Sequence, residues 1–378
     1  MIYIGHYDLY DSNVKRSYAT AAVNKIKYML KSFSKAYEEV CVFSFSKNIE
    51  KKFKIYPSEL KHEGNVGIYF PLSWGGKGKL HTISMIIWLR ICLFLYLLKH
   101  AHKNEHVYVY HSTTYGKSIL WAKAIKQFKL ILEVEEIYSD VQKTIRGLRN
   151  YEFSYINTAD AFIFSTILLD KKINKLNKPY IVINGTYEVE DIISEKFNDG
   201  KMHVVYAGTF DIRKGSAAAA VAAAEYLNKD YVLHICGFGS EKDKTDLLEI
   251  ISHSNAKNDC KIEFHGLLTG REYISFLQKC HIGLSTQNPN ASFNATSFPS
   301  KVLSYLANGL SVVSIRIPAI ETSSVGKYVT YYDEQTPSQI AHAIMNANIK
   351  TNYRSVISNI SDNYDNRVVS FRKKLTCN

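Results

Sequence analysis

The chain has 378 residues, 46% hydrophobic and 22% charged, an ordinary globular composition long enough for two domains. That excludes a disordered, collagen-like or fibrous protein. The net charge of +12 is uneven: residues 1–190 hold 27 Lys+Arg against 17 Asp+Glu, residues 191–378 hold 20 against 18. A basic first half points to an anionic partner, which a membrane surface, an acidic substrate or a nucleic acid would supply. No nucleic-acid motif or aromatic–basic interleaving accompanies the charge, so nucleic acid ranks last. Cys41, Cys92, Cys236, Cys260, Cys280 and Cys377 are scattered, without CxxC or metal-ligand spacing. This argues against a disulfide framework or a zinc site and for a reducing compartment. The start MIYIGHYDLYDSN lacks the pattern of a signal peptide, so a cytoplasmic protein is expected.

In chain order, Ile2 to Ile4 reads as a strand, Asn24 to Ala36 as a helix and Glu39 to Ser44 as a strand. Residues 46–80 are polar and glycine-containing, with no clear element. Ile83 to Leu98 (ISMIIWLRICLFLYLL) is too short for a span of ~20 apolar residues and carries Arg90 near its middle. A buried or interfacial helix is the reading. Val107 to Tyr110, Leu130 to Val134, Ala161 to Ser165 and Tyr180 to Ile183 follow as strands, the last leading into the turn pair Asn184-Gly185. The polar segment 186–200 reads as a connection.

The second half alternates more regularly. His203 to Ala207, Tyr231 to Cys236, Lys261 to Phe264, His281 to Ser285 and Leu310 to Ile315 are short apolar strands. Ser216 to Asn228 (SAAAAVAAAEYLN), Lys242 to Ser254, Gly270 to Lys279 and Pro299 to Asn308 are helices between or beside them. The alternation predicts parallel sheets with helices on both faces. The expected architecture is α/β: two Rossmann-like domains, 1–188 and 200–345, facing a central cleft, and a helical tail 346–378 that packs back towards the first domain. Ligands of such sheets bind beyond the carboxyl ends of the strands.

Two segments are candidates for binding an anion. In Tyr206-Ala207-Gly208-Thr209-Phe210-Asp211-Ile212-Arg213-Lys214-Gly215-Ser216, a strand ends at glycine, a loop carries Arg-Lys-Gly, and a helix begins. Free N–H groups and the helix dipole meet there, and Lys214 adds a full charge. In Thr296-Ser297-Phe298-Pro299-Ser300-Lys301, a serine cap and a proline open a helix whose first turn holds Ser300 and Lys301. Two such places in one domain suit a diphosphate; the plainer reading of both is a capped helix with a solvated lysine.

The order YAG…RKG, ICGFGSE, FHG and FPSKVLSYLANGLSVVS resembles the nucleotide-sugar-binding domain of family-4-like glycosyltransferases with the GT-B fold, over about 200–345. RSYATAAVNKIKYM and LEVEEIYSD resemble more loosely the acceptor domain of bacterial surface-polysaccharide members. The resemblance implies that Lys214 contacts donor phosphate, with Gly208 before it. It implies that Gly237 and Gly239 lie near the nucleoside, that His265 to Leu267 form the loop near the base, and that Ser300 and Lys301 face diphosphate and ribose. The sequence departs from the family where many members have arginine, here Thr209. It departs again at two glutamates seven residues apart, here Thr296 and Ser304.

The resemblance implies transfer of a sugar from a UDP- or GDP-linked donor to a hydroxyl of a glycan or lipid-linked glycan. It implies a retaining outcome, and the absence of an Asp-x-Asp signature fits transfer without a metal or other cofactor. In LILEVEEIYSD, Glu133 and Glu135 share one strand face and Glu136 takes the other. Glu135 or Glu136 could take the acceptor's proton, or pair with Arg146 or Arg149; His111, ending VYVYH, is a second candidate base. His6 and Arg16 follow the first strand and could meet a lipid-linked acceptor, Arg16 through a phosphate or simply within its loop. A sugar-nucleotide epimerase of the same architecture and a non-catalytic nucleotide-sugar-binding protein are the alternatives. A lipid-linked acceptor together with the basic first half predicts peripheral binding to an anionic membrane at the inner face of the plasma membrane.

Overall fold

β-branched and aromatic runs do alternate with helix formers along the folded chain, and most lie where their pattern puts them; the helix expected from Pro299 with Ser297 as its cap instead begins at Lys301, with Ser300 at the cap position and no side-chain cap bond. The computed structural model describes residues 1–9, 14–141, 146–211, 217–289, 294 and 296–376. It divides into two units: Met1–Ile183 with Asn363–Asn378, and Asn184–Asp362.

Unit 1 runs β1 (Ile2–Gly5), α1 (Thr20–Ala36), β2 (Val40–Ser44), β3 (Ile55–Tyr56), β4 (Glu59–Glu63), β5 (Val66–Phe70), β6 (Ser73–Trp74), α2 (Gly78–His100), β7 (His106–Tyr110), α3 (Gly116–Lys126), β8 (Lys129–Val134), α4 (Tyr138–Val141), α5 (Arg146–Asn157), β9 (Ala161–Phe164), α6 (Ile167–Ile173) and β10 (Tyr180–Val182). Eight strands form one sheet in the order β10-β9-β8-β7-β1-β2-β5-β4. All neighbours are parallel except β4, which pairs antiparallel with β5 at the edge. The unassigned stretch 46–80 therefore supplies a core strand, a charged edge strand and a two-stranded ribbon of β3 and β6. Charge on β4 suits an edge, where a row of unpaired backbone groups would otherwise recruit another strand. The core lies between the sheet and its helices, and one buried cluster takes in Leu130, Leu132 and Val134 of β8 and Leu89, Leu93 and Leu97 of α2.

Unit 2 runs β11 (Met202–Thr209), α7 (Ala217–Ala222), β12 (Tyr231–Phe238), α8 (Glu241–Lys257), β13 (Lys261–Gly266), α9 (Gly270–Lys279), β14 (Ile282–Ser285), α10 (Lys301–Ala307), β15 (Ser311–Ile315), α11 (Pro318–Glu321), β16 (Val329–Tyr332) and α12 (Pro337–Met345). Its six strands are all parallel, in the order β13-β12-β11-β14-β15-β16. Counted from β11, that is 3-2-1-4-5-6, the doubly wound order of dinucleotide-binding sheets. The alanine run does not stay α-helical: after Ala222 it tightens into a 3₁₀ turn, Ala223–Tyr226. Ala220, Val221, Ala223 and Ala224 are all buried, so the tightened turn packs without side-chain bulk. Segment 186–200 has no regular element and lies on unit 2, where Ile193 N–H donates to Gln278 Oε1 and Phe197 N–H to Lys279 O. The last helix, α13 (Tyr353–Thr376), gives its residues from Asn363 onward to unit 1, where the Tyr364 ring packs tilted against Tyr28 and Asp365 accepts from Ser32.

Candidate functional site

In unit 2 the chain leaves β11 for β12 on one side and returns to β14 on the other. The crevice at such a reversal, beyond the strand ends, is where open α/β sheets bind ligands. Tyr305 of α10 ties the two strands there: its hydroxyl accepts from Ala207 N–H at 2.8 Å and lies 3.3 Å from Leu284 O. Gly208 and Gly237 sit opposite each other in register. Gly237 has φ +148°, and a Cβ on it would stand 1.7 Å from Gly208 O. Glycine is required there because two backbones meet.

A Cβ on Gly208 would stand 2.7 Å from Lys301 Nζ. The missing side chain is what lets this ammonium reach the end of β11. Lys301 is half-buried, with Nζ 4.3 Å from the centre of the Tyr206 ring. Among the described residues no hydrogen bond or ion pair forms at Nζ. Burial lowers its pKa from 10.5 to about 8. A cation with no counter-ion among the described residues, at the end of a strand, is suited to an anionic ligand.

The other donor-side candidates surround it unevenly. Thr209 ends β11, and its Oγ1 accepts from Asp211 N–H at 3.2 Å. Gly239 leaves room for Phe210, whose Cβ would be 2.9 Å from an added methyl. Ser300 is exposed at the start of α10, and Ser304 is half-buried one turn on. Leu267 is exposed after Gly266, which has φ +66°. Thr296 is buried. Lys214 lies outside the described residues.

His265 joins a histidine series. Asp199 Oδ1 lies 3.0 Å from His203 Nε2, His203 Nδ1 2.8 Å from His234 Nε2, and His234 Nδ1 3.0 Å from His265 Nε2. With Asp199 accepting, each ring can donate to the one before it, and three neutral imidazoles complete the chain. Burial supports neutrality, lowering His234 to about 3. Glu263 Oε2 stands 3.5 Å from His234 Nδ1 and 3.9 Å from His265 Nε2. His234, Glu263 and His265 thus place three possible ligand atoms within 4.8 Å of one another. They are the residues that could hold a metal ion, and the hydrogen-bond chain accounts for their spacing without one.

In unit 1 the carboxylates at the end of β8 meet a lysine that sequence reasoning did not select. Lys25 is buried, pairs with Glu135, donates to Ile183 O at 2.9 Å and stands 3.9 Å from Glu133 Oε1. Glu133 is fully buried and accepts from Tyr3 at 2.5 Å. Burial pushes its pKa up to about 8, against the pull of Lys25. Glu135 is thus paired by Lys25 rather than by Arg146 or Arg149. Arg146 is exposed, and Arg149 lies over Phe153. The available signal was Lys25's place in one i, i+4 row with Met29 and Phe33, both buried. Glu136 is half-buried beside Glu135.

His111 follows β7, buried and stacked against Tyr138 and Tyr155, with no hydrogen bond at either ring nitrogen among the described residues. Its nearest carboxylate, Glu152 at 3.6 Å, accepts instead from Tyr138 and Ser139 N–H. Burial lowers His111 to about 4, so its imidazole is neutral at pH 7. His6 packs against Phe45 and Tyr115 and is lowered to about 4 by burial. Arg16 is buried, pairs with Asp8 at 3.0 Å and covers the Phe70 ring at 4.2 Å. His6 and His111 both stand at the ends of β1 and β7, the reversal point of this sheet.

No family model matches the chain, and no curated protein matches it. Solved structures do. A trehalose-6-phosphate structure from E. coli, bound with UDP-2-fluoro glucose, aligns at TM-score 0.64 and 10% identity, covering 100% of this chain and 97% of that one. The UDP-forming α,α-trehalose-phosphate synthase of Burkholderia xenovorans aligns at 0.64 and 8%, covering 99% of each. Anabaena HepE, in complex with UDP and glucose, aligns at 0.63 and 11%, covering 99% of each. The likeness extends over the whole chain and shows the fold, that of GT-B proteins with two Rossmann-like domains.

Proposed function

We propose that the protein is a glycosyltransferase moving a sugar from a UDP- or GDP-sugar to a hydroxyl of a glycan or lipid-linked glycan in surface-polysaccharide synthesis. The observation that carries this reading is Lys301, a half-buried ammonium with no counter-ion among the described residues, at the reversal point of a dinucleotide-type sheet. Similar structures that hold UDP-2-fluoro glucose, or UDP and glucose, support it.

As the glycosidic bond to the diphosphate breaks, negative charge grows on the leaving oxygens. A cation already in place stabilises that charge without reorganising. Lys301 and Lys214 are assigned this role, so the reading needs no metal; retention of configuration is carried over from the resemblance to family-4-like glycosyltransferases. A phosphate beside Lys301 also holds it charged to higher pH, because an anion favours the protonated amine. On the acceptor side, Lys25 orients Glu135, and Glu135 or Glu136 receives the hydroxyl proton. The reading locates the enzyme in the cytoplasm, at the inner face of the plasma membrane.

A thermal-shift screen against UDP, GDP, ADP and their sugars tests this. A ligand that binds only the native state raises the midpoint. UDP or GDP should raise it and the matching sugar should raise it further; no shift with any of them would end the proposal. Thr296 and Ser304, which stand where glutamates are common, favour a second reading, a binding protein without catalysis. Donor hydrolysis and transfer to a panel of acceptors separate the two.

A further inference from the structure

α2 is a 23-residue helix with two apolar faces. One is spent on the core, where Met85, Leu89, Leu93 and Leu97 are at most 1% exposed. The other is open: Leu80, Ile83, Ile87, Ile91 and Leu95 are 47–84% exposed. Ile83, Ile87, Ile91 and Leu95 form an i, i+4 row, and from Leu80 to Leu95 the stripe is roughly 22 Å long at ~1.5 Å per residue. α3 continues the surface with Trp121 and Ile125, each 61% exposed, the Trp121 ring meeting Phe94 edge-on at 6.5 Å. Seven large apolar side chains in one patch exceed the scattered exposure normal for a protein surface.

The charge around the patch has one sign. Residues 77–126 contain eight Lys+Arg and one acidic residue, Glu105. Lys77, Lys79, Lys99, Lys103 and Lys117 are exposed, and none has an ion pair among the described residues. Lys77 caps the amino end of α2 and Lys79 lies in its first turn, which holds no acidic residue. Cations oppose the helix dipole there, so helix stability does not explain them. Lysines at both ends of an apolar stripe suit a helix lying in a lipid interface, with long side chains reaching the headgroups.

We infer that this face of α2, with Trp121 and Ile125 of α3, docks on an anionic phospholipid bilayer and lies in its interface. By length and composition α2 passes for a membrane span. Yet its inner face belongs to the sheet's core, and Arg90 donates to Thr114 O, so withdrawing the helix would dismantle unit 1. A second copy fits less well: a two-fold contact would set the same unpaired lysines against themselves. The inference stands on this surface and not on the donor reading.

The test is flotation of the full chain with phosphatidylcholine vesicles, with and without about 30% phosphatidylglycerol. Wild type should float with the anionic vesicles and partition at least about tenfold less onto neutral ones, the difference shrinking with salt. Ile87→Glu with Ile91→Glu should lower partitioning about tenfold, as should Lys77→Glu with Lys79→Glu and Lys99→Glu. All these side chains are solvent-facing, so circular dichroism and the UDP thermal shift should match wild type. Equal recovery on both vesicle types, or variants that float like wild type, would overturn the inference. So would a concentration-dependent dimer abolished by Ile87→Glu with Ile91→Glu without any vesicle binding.

Discussion

Replacing Lys301 by methionine should make the protein more stable and poorer at binding its donor. Methionine keeps most of the stem over the Tyr206 ring and removes the charge. The fall of the lysine pKa from 10.5 to about 8, at ~1.36 kcal/mol per unit, corresponds to about 3 kcal/mol of unfavourable burial at pH 7. Allowing for the part that solvent still reaches, roughly 1–3 kcal/mol should be recovered. That corresponds to a rise of several degrees in Tm for a domain of this size. A charge-assisted contact to phosphate contributes ~1.5–3 kcal/mol, so Kd for the nucleoside diphosphate should rise about 10- to 100-fold. Calorimetric titration and thermal melts read the two effects separately. The wild-type affinity should also depend on pH. Below pH 8 the amine is charged and affinity is flat; above it each pH unit should cost about tenfold, because binding must take up a proton. Lys301→Met should lack that slope. Affinity within about twofold of wild type, or a lowered Tm, would refute the assignment.

Lys214→Ala should raise the donor Kd by a similar factor and leave the melt unchanged, read by the same titration. Glu135→Gln and Glu136→Gln, made separately, should each leave nucleotide binding intact, and one should depress transfer; full activity in both would remove a carboxylate base. Glu133→Gln concerns stability: the folded carboxyl holds its proton up to about pH 8, the unfolded one only to 4.5. Between those values the native state binds more protons, so wild-type stability should fall as pH rises, and urea melts of Glu133→Gln should show a flatter profile. Dialysis against EDTA should change neither donor affinity nor transfer; a loss of either would assign a working metal to His234, Glu263 and His265.

Much of the fold was legible because each strand is a short apolar run closed by glycine or a polar residue, and each helix a longer run of good formers. What escaped was decided by contacts distant in sequence. Residues 46–80 hold few consecutive apolar residues, yet Val66–Phe70 becomes a core strand because β2 offers it a partner. The alanine run has the highest helix propensity in the chain, yet it tightens at Ala223 where α12 packs on it. Tertiary packing outweighs propensity in both cases.

The candidate sites divide in the same way. Gly208, Gly237 and Lys301 could be chosen from sequence because each ends a strand or opens a helix, positions the local pattern reveals. Lys25 could not be chosen on those grounds. It lies within a helix, 110 residues from the glutamate it pairs with, and a lysine in a polar-looking stretch reads as solvated. Its burial follows from the packing of α1, which brings this one cation to Glu135 and within 3.9 Å of Glu133 at the end of β8. With Glu133 buried and protonated and Glu135 paired, the three groups share a single positive charge and a single negative one at neutral pH. The lysine offsets the half-buried carboxylate it pairs with, while burial favours the neutral form of Glu133 in the core. Ionising Glu133 as well would set a buried negative charge beside the half-buried Glu135, which is more costly.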